Sequence, residues 1–287
     1  MTEYAVELKG LSHSYGKHMA LDGVNLRLPP NKIYGLIGRN GAGKTTLINI
    51  LSACLFAKQG KSLIYGQSVF ENAQALKRIC VVREKGKFLS TLTVAEALKL
   101  CGGLYPNWDE AYAQKLVKLF ELNPKKKYKQ LSRGMESSLG LVIGLASRAD
   151  VTVFDEPSLG LDAVARENFY DQLIHETQDH PRTIIISTHL IDEVSRVFEE
   201  VVIIDRGKVL RHENLATLLA AAVTLTGAKE DVHRLVEGKT VLRSDTLGGM
   251  SVVSVLRDEW DQFPGVQVEP LPLQKLFVYM TQGGETQ

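Results

Sequence analysis

Gly38, Arg39, Asn40, Gly41, Ala42, Gly43, Lys44 and Thr45 spell glycine, four residues, glycine, lysine, threonine, a spacing suited to phosphate chemistry. Glycines let the backbone curl until its N–H groups point inward as an anion nest. A helix starting at the end of the loop adds its positive pole. Lys44 would then reach the β- and γ-phosphates of a nucleoside triphosphate, and the Thr45 hydroxyl would bind Mg²⁺. Asp155 and Glu156 close a run of Val151, Thr152, Val153 and Phe154. At a strand's end, Asp155 would hold Mg²⁺, usually through water, and Glu156 would polarise an attacking water as general base. Alone, such an acidic pair is often only a loop start or helix cap; beside a phosphate loop it becomes chemistry. His189, past the apolar run ending at Thr188, is placed by the same logic against a γ-phosphate. Ser132 and Gly134 open a helical pattern. Ser132 is either a helix N-cap or part of a second anion contact, and spacing alone does not decide between them.

These groups meet only if the right elements carry them. Residues 4–9 and 24–28 alternate apolar and polar like half-buried strands. A short apolar run covers 32–37, and the runs at 151–154, 183–187 and 201–204 are β-branched and nearly uninterrupted, which suits strands buried on both faces of a largely parallel sheet. Helical patterns at 46–51, 164–176 and 191–199 lie between them, which makes the core α/β. Gly38, Asp155 and His189 each lie just past an apolar strand, where ligands gather in open parallel sheets. From 84 to 147 helical patterns take over, at 94–102, 110–120 and 135–146, and predict a helical subdomain inserted at about 85–147. The lysine run 125–127 falls in the loop before its third helix, as a solvated face. Beyond 214 the predicted order is strand 222–225, helix 229–236, strands 240–244 and 251–256 joined near Gly248 and Gly249, helix 258–263, strand 266–270 and helix 273–280. This β-α-β-β-α-β order describes a small α+β, ferredoxin-like module.

Composition narrows the classes. With 34 basic and 33 acidic residues among 287, there is no basic surplus of the kind a nucleic-acid binder gathers on one face. Hydrophobic content of 44% and charged content of 23% are ordinary for a globular protein. Cys54, Cys80 and Cys101 form no C-x-x-C pair, and read as small apolar residues in a reducing compartment. The start Met1, Thr2, Glu3, Tyr4 lacks a basic, apolar leader. The longest apolar stretch, near 215–225, falls short of the roughly 20 residues of a membrane span.

In this order the motifs resemble the nucleotide-binding subunit of an ABC transporter: Tyr15 in Ser14-Tyr15-Gly16, the phosphate loop, Leu131-Ser132-Arg133-Gly134-Met135, Asp155-Glu156, Leu159-Gly160-Leu161-Asp162 and His189. The resemblance spans residues 3–214. It implies a P-loop NTPase (ABC ATPase) core with ATP and Mg²⁺ as ligands. It further implies that Tyr15 stacks on adenine, that Thr46 joins the phosphate-loop residues in the ATP site, and that Asp162 lies in a loop at a dimer interface. Ser132 and Gly134 would contact the γ-phosphate held by a second copy, the two copies meeting head to tail. Opening and closing would move the helical subdomain, which in the family grips a multi-span transmembrane subunit. Glu84 stands where the family usually has glutamine. Its carboxylate can approach Mg²⁺ or water but adds negative charge beside the γ-phosphate, so the expected role is coupling. Ser-Arg-Gly-Met replaces the commoner Ser-Gly-Gly-Gln.

Tyr105-Pro106-Asn107-Trp108-Asp109, the Ser-Arg-Gly-Met form and the tail that ends Leu276-Phe277-Val278-Tyr279-Met280-Thr281 look like one group of bacterial exporters. Those ATPases partner small membrane subunits that expel or resist amphipathic and antimicrobial peptides, phenol-soluble modulins among them. The expectation is therefore a nucleotide-binding domain over 1–214, an accessory or dimerisation domain over 215–287, and a peripheral position on the cytoplasmic face of a bacterial membrane, with no nucleic-acid partner. For Tyr105 and Trp108, packing within the helical subdomain is as good a reading as partner contact. The rival functions are a soluble ABC ATPase in cofactor assembly and the ATPase of an importer.

Overall fold

The computed structural model describes residues 3–83, 90–191, 195–258 and 261–282. Its contacts divide the chain into two compact units: Met1–His189 with Val202–Arg211, and Leu190–Val201 with His212–Gln287.

Two sheets build the first unit. β1 (Val6–Tyr15) and β2 (His18–Leu28) form a hairpin closed by the Tyr15–His18 pair, and Gly16 takes the left-handed φ of 58° that so short a turn requires. β4 (Gln59–Ile64) and β5 (Gln67–Ser68) extend it as an antiparallel sheet in the order β2-β1-β4-β5. The second sheet contains β3 (Ile33–Ile37), β6 (Ile79–Arg83), β7 (Val151–Asp155), β8 (Thr183–Thr188), β9 (Glu200–Asp205) and β10 (Lys208–Asn214), in the order β10-β9-β3-β8-β7-β6. β6, β7, β8 and β3 run parallel. Every residue of β3, β7 and β8 is buried, which is why these strands read as unbroken apolar runs.

Helices α1 (Lys44–Leu51), α2 (Ala73–Leu76), α3 (Val94–Leu104), α4 (Glu110–Leu119), α5 (Arg133–Ala146) and α6 (Ala163–Asp179) complete this unit. Thr93 and Glu96 form a capping box at α3, and Asp109 caps α4. These bonds satisfy N–H groups that would otherwise lack partners. Trp108 lies over Gly102, where a Cβ would stand 3.2 Å from its ring, so it packs within the helical segment. At Gly144 a Cβ would meet Phe154 Cε1 at 2.5 Å and Val82 Cγ2 at 2.7 Å; the missing side chain lets α5 lie directly on β6 and β7. Arg182 and Arg148 both pair with the buried Glu176 carboxylate of α6, at 3.0 and 2.9 Å, and Arg182 also donates to the Leu145 carbonyl of α5.

The second unit contains α7 (Leu215–Ala221), β11 (Ala222–Ala228), α8 (Lys229–Leu235), β12 (Thr240–Leu247), β13 (Met250–Leu256), β14 (Gln267–Pro270) and α9 (Leu273–Gln282). Its four-stranded sheet has the order β12-β13-β11-β14. β13 is antiparallel to both β11 and β12, so β11, α8 and β12 form a split β-α-β unit with β13 between its strands. Val223, Leu225, Val232, Val253, Val255 and Phe263 make its core.

The structure corrects several sequence expectations. The helix expected at 191–199 is reduced at its C-terminal end to one 3₁₀ turn, Ser195–Val197, and residues 192–194 lie outside the described residues. Phe198 and Val197 are both buried at this short turn, so packing rather than helical periodicity set the apolar spacing there. The helix expected at 258–263 is irregular at Asp258 and Asp261–Phe263, with 259–260 outside the described residues. β4, β10 and α7 were not foreseen. The strand β4 is polar and exposed at its first three residues, and so carries little alternation to read.

Candidate functional site

The parallel register brings the chemistry together. Ile37 pairs with Thr188, Asp155 with Ser187 and Arg83 with Asp155. Gly38, Glu156 and His189 therefore leave neighbouring strands at the same carboxyl edge, as the strand reading requires. There a cleft of about 470 Å³ is lined by Tyr15, Arg39, Asn40, Gly41, Gly43, Lys44, Thr45, Thr46, Glu156 and His189, with His18, Ala20 and Leu159. Its volume falls within the about 300–1,000 Å³ typical of small-molecule sites.

The loop is shaped by its glycines. Gly41 and Gly43 have φ of 82° and 110°, a region that residues with side chains seldom adopt. Gly38 admits no side chain either, because a Cβ would stand 2.5 Å from the Ile204 carbonyl oxygen. Gly43 precedes α1 without a side-chain cap, which leaves the first N–H groups of the helix for an anion. The Ala42 carbonyl accepts from Gly207 N–H at 2.9 Å, tying the loop to the turn after β9.

Lys44, only 7% exposed, donates from Nζ to the carbonyl oxygens of Gly38 at 2.5 Å and Arg39 at 3.3 Å. Burial holds its ammonium below the usual lysine range, and the nearby Glu156 and Asp155 carboxylates oppose that shift. Asp155 is 9% exposed. Burial pushes its carboxyl above the usual range and the Glu156 charge adds to this, while a hydrogen bond from Ser187 and the charges of Lys44 and Arg83 offset part of it. Glu156 has a left-handed φ of 54°, uncommon for a residue with a side chain. Its N–H donates to the Ser187 carbonyl at 2.8 Å. Its carboxylate takes His189 Nδ1 at 2.9 Å on Oε1 and the Thr188 hydroxyl at 3.4 Å on Oε2. A strained backbone held by flanking strands and a carboxylate bonded on both oxygens make a fixed base. The Thr45 hydroxyl at the cleft and the carboxylate of Asp155 are hard oxygen donors. They fit Mg²⁺, which takes one or two protein oxygens and completes its shell with phosphates and water.

Tyr15 is half exposed and stacks edge-on with His13 at 4.9 Å. Ser132, Gly134 and Asp162 are not among the residues lining the cleft. Ser132 caps α5 by accepting from Met135 N–H at 3.3 Å, and Asp162 caps α6 through Ala165 N–H at 2.8 Å. Gly134 lies against the loop that ends at Asp162: a Cβ there would stand 2.7 Å from the Gly160 carbonyl. Ser137 Oγ donates to the Leu159 carbonyl at 2.9 Å. Glu84 lies outside the described residues. Sequence reasoning missed His18 and Ala20, and named Leu159 only as part of a motif, without a place in the cleft. For His18 a signal existed, because the two-residue turn at Gly16-Lys17 folds it back opposite Tyr15. Ala20 carries no chemical signal at all.

Residues 21–159 match the family model described as ABC transporter. The ABC transporter ATP-binding protein YtrB of Bacillus subtilis is 30% identical over 192 residues, 67% of this chain and 66% of that protein. The bacitracin transport ATP-binding protein BcrA of Bacillus licheniformis is 30% identical, covering 71% of this chain and 68% of its own. The daunorubicin resistance ATP-binding protein DrrA3 of Streptomyces coeruleorubidus is 28% identical across 98% of this chain and 97% of its own. Among solved structures, a dimeric ATP-binding cassette in a post-hydrolysis state, bound to ADP and Pi, superposes with a TM-score of 0.65 at 24% identity, over 73% of this chain and 98% of that one.

Proposed function

The chain belongs to the ABC transporter family as an ABC-type ATP hydrolase, and from that premise we propose that it powers export through a separate multi-span membrane subunit. The cleft holding Lys44, Thr45, Glu156 and His189 carries the ATPase part of this reading, and the relatives named for transport and resistance support the export part.

The nest of loop N–H groups and the start of α1 bind the triphosphate. Lys44 exchanges the Gly38 and Arg39 carbonyls for β- and γ-phosphate oxygens, and this exchange relieves the burial of its charge. Tyr15 offers its exposed ring to adenine, and Arg39, Asn40, Gly41, Ala42 and Thr46 complete the cradle. Thr45 and Asp155 would hold Mg²⁺, which neutralises charge on the phosphates when bound. Glu156 polarises a water for attack on the γ-phosphorus, giving ADP and phosphate. His189 orients that carboxylate by donating from Nδ1, and the imidazolium form has a second N–H, on Nε2, to donate to the γ-phosphate.

The site is completed by a second copy. Ser132 and Gly134, absent from their own cleft, reach the γ-phosphate of the opposite protomer, with Asp162 at the same interface; the dimeric cassette bound to ADP and Pi supports the pairing of two copies. Glu84 couples the γ-phosphate to the membrane partner. Relatives named for bacitracin transport and daunorubicin resistance support export, and amphipathic peptides are the cargo class proposed, moved from the cytoplasmic face. Residues 215–287 serve as an accessory domain that helps copies pair.

Glu156→Gln is expected to bind ATP normally and to slow hydrolysis by about 10²–10⁴-fold, the usual worth of a general base. Single-turnover ATPase assays beside nucleotide-binding titrations decide the matter. Parent-rate hydrolysis would remove Glu156 from its role.

A further inference from the structure

We infer that two copies of this chain join through β12, whose edge pairs with no other strand among the described residues and pairs antiparallel with its twin about a twofold axis at Ser244. The inference deepens the reading of residues 215–287 as a pairing domain and rests on it.

β12 and β14 are the two edges of the second unit's sheet, and they differ in kind. β14 has four residues and ends in Pro270, a blunted edge without a donor at its last position. β12 has eight residues, seven of them exposed, and no proline, and its two charges, Arg243 and Asp245, are of opposite sign, so its edge repels an unmatched strand and admits one whose charges complement it.

Its backbone polarity follows from the hairpin. Leu247 pairs with Met250 across Gly248 and Gly249, and a two-residue turn makes that closing pair hydrogen-bonded. By alternation, Asp245 and Arg243 also direct their N–H and C=O groups to β13, while Ser244 and Thr246 direct theirs outward. Arg243 and Asp245 lie on one face and form a forked pair within the chain, with both bonds at 3.0 Å.

A twofold axis at Ser244 makes Ser244 bond its own counterpart and sets Arg243 of each copy opposite Asp245 of the other. Those opposed residues form the closer, non-hydrogen-bonded type of pair. Sliding the strands by two residues sets either Arg243 against Arg243 or Asp245 against Asp245. One register attracts, then, and its neighbours repel. The irregularity between Val241 and Arg243 limits the regular ladder to Arg243, Ser244 and Asp245 of each copy. Beyond it, Leu247, 85% exposed, of one copy lies toward Val241, 45% exposed, of the other and adds apolar surface.

The test uses the full-length protein without nucleotide, with mass measured by analytical ultracentrifugation across a dilution series. The parent is expected to dimerise. Arg243→Asp and Asp245→Arg are each expected to be monomeric with unchanged circular dichroism. Mixed together they should form a one-to-one heterodimer, because the first variant then presents an acid at both positions and the second presents an arginine at both. Ser244→Pro, which removes an outward donor, should also be monomeric. A nucleotide-free parent that is monomeric throughout would overturn the inference, as would single variants that dimerise like the parent or fail to combine. Dimerisation insensitive to these changes would leave the pairing-domain reading standing on another surface. ATP-dependent pairing of Glu156→Gln reports separately on the ATPase reading.

Discussion

At the scale of single residues, the nucleotide cleft is built from charged groups whose burial has a cost. Lys44 is a buried ammonium held on two backbone carbonyls, and Asp155 is a buried carboxylate beside another acid. The carboxyl of Asp155 titrates above its unfolded value, so the folded state favours its protonated form. Its contribution to stability is present below the ordinary carboxylate range and is lost as pH rises through the raised value. Asp155→Asn removes that loss. The variant should melt at a higher temperature than the parent at neutral pH, with the difference closing in acid, while hydrolysis falls sharply. Melting curves against pH in nucleotide-free buffer check it, and a variant that melts below the parent at neutral pH refutes it. Stability is traded for chemistry here, as it often is at active sites.

At the scale of elements, close packing of α5 on the sheet sets where the site's helical neighbour can lie. Gly144 and Gly103 are both helical glycines, and their surroundings predict opposite effects. Gly144→Val drives methyl groups into Phe154 and Val82 and should destabilise by at least about 1–3 kcal/mol. Gly103 has nothing within 4 Å of its missing Cβ, so Gly103→Ala should stabilise by about 0.5–1 kcal/mol. Paired urea denaturation curves measure both. Equal effects would mean that helix propensity, not contact with the sheet, governs α5. The buried cluster of Glu176 with Arg148 and Arg182 reinforces the same contact: Glu176 is the shared anion, and Arg182 extends to the Leu145 carbonyl at the end of α5.

At the scale of the whole molecule, the proposed work lies outside the chain. Among the described residues no helix is long and apolar enough to cross a membrane, and the second unit offers an open strand edge where a catalytic cleft might otherwise be sought. An export engine should therefore be recovered with a multi-span protein. Mild-detergent extraction of membranes from the native cell, affinity capture and mass spectrometry are expected to return one such subunit at a fixed ratio. Recovery with ribosomes or with cofactor-assembly scaffolds instead would overturn the transport proposal.

The local rules in the chain settled more than the element count. Glycine spacing from Gly38 to Gly43 dictated a phosphate loop, because positive φ and absent side chains are properties of the residues themselves. Unbroken β-branched runs dictated buried parallel strands, since only burial on both faces removes the polar alternation. Polar β4 and the chemically silent Ala20 left no such mark. Only the tertiary structure decided which carboxylate meets which partner. The register of β7 against β8 and β3 is a long-range pairing, and it put His189 on Glu156 and Asp155 beside Lys44. The fold likewise decided that Ser132 and Gly134 stand apart from their own cleft, and that β12 and β14 are the two edges of the second unit's sheet. Spacing along a chain encodes local conformation; strand order and register arise only when distant segments compete for the same neighbours.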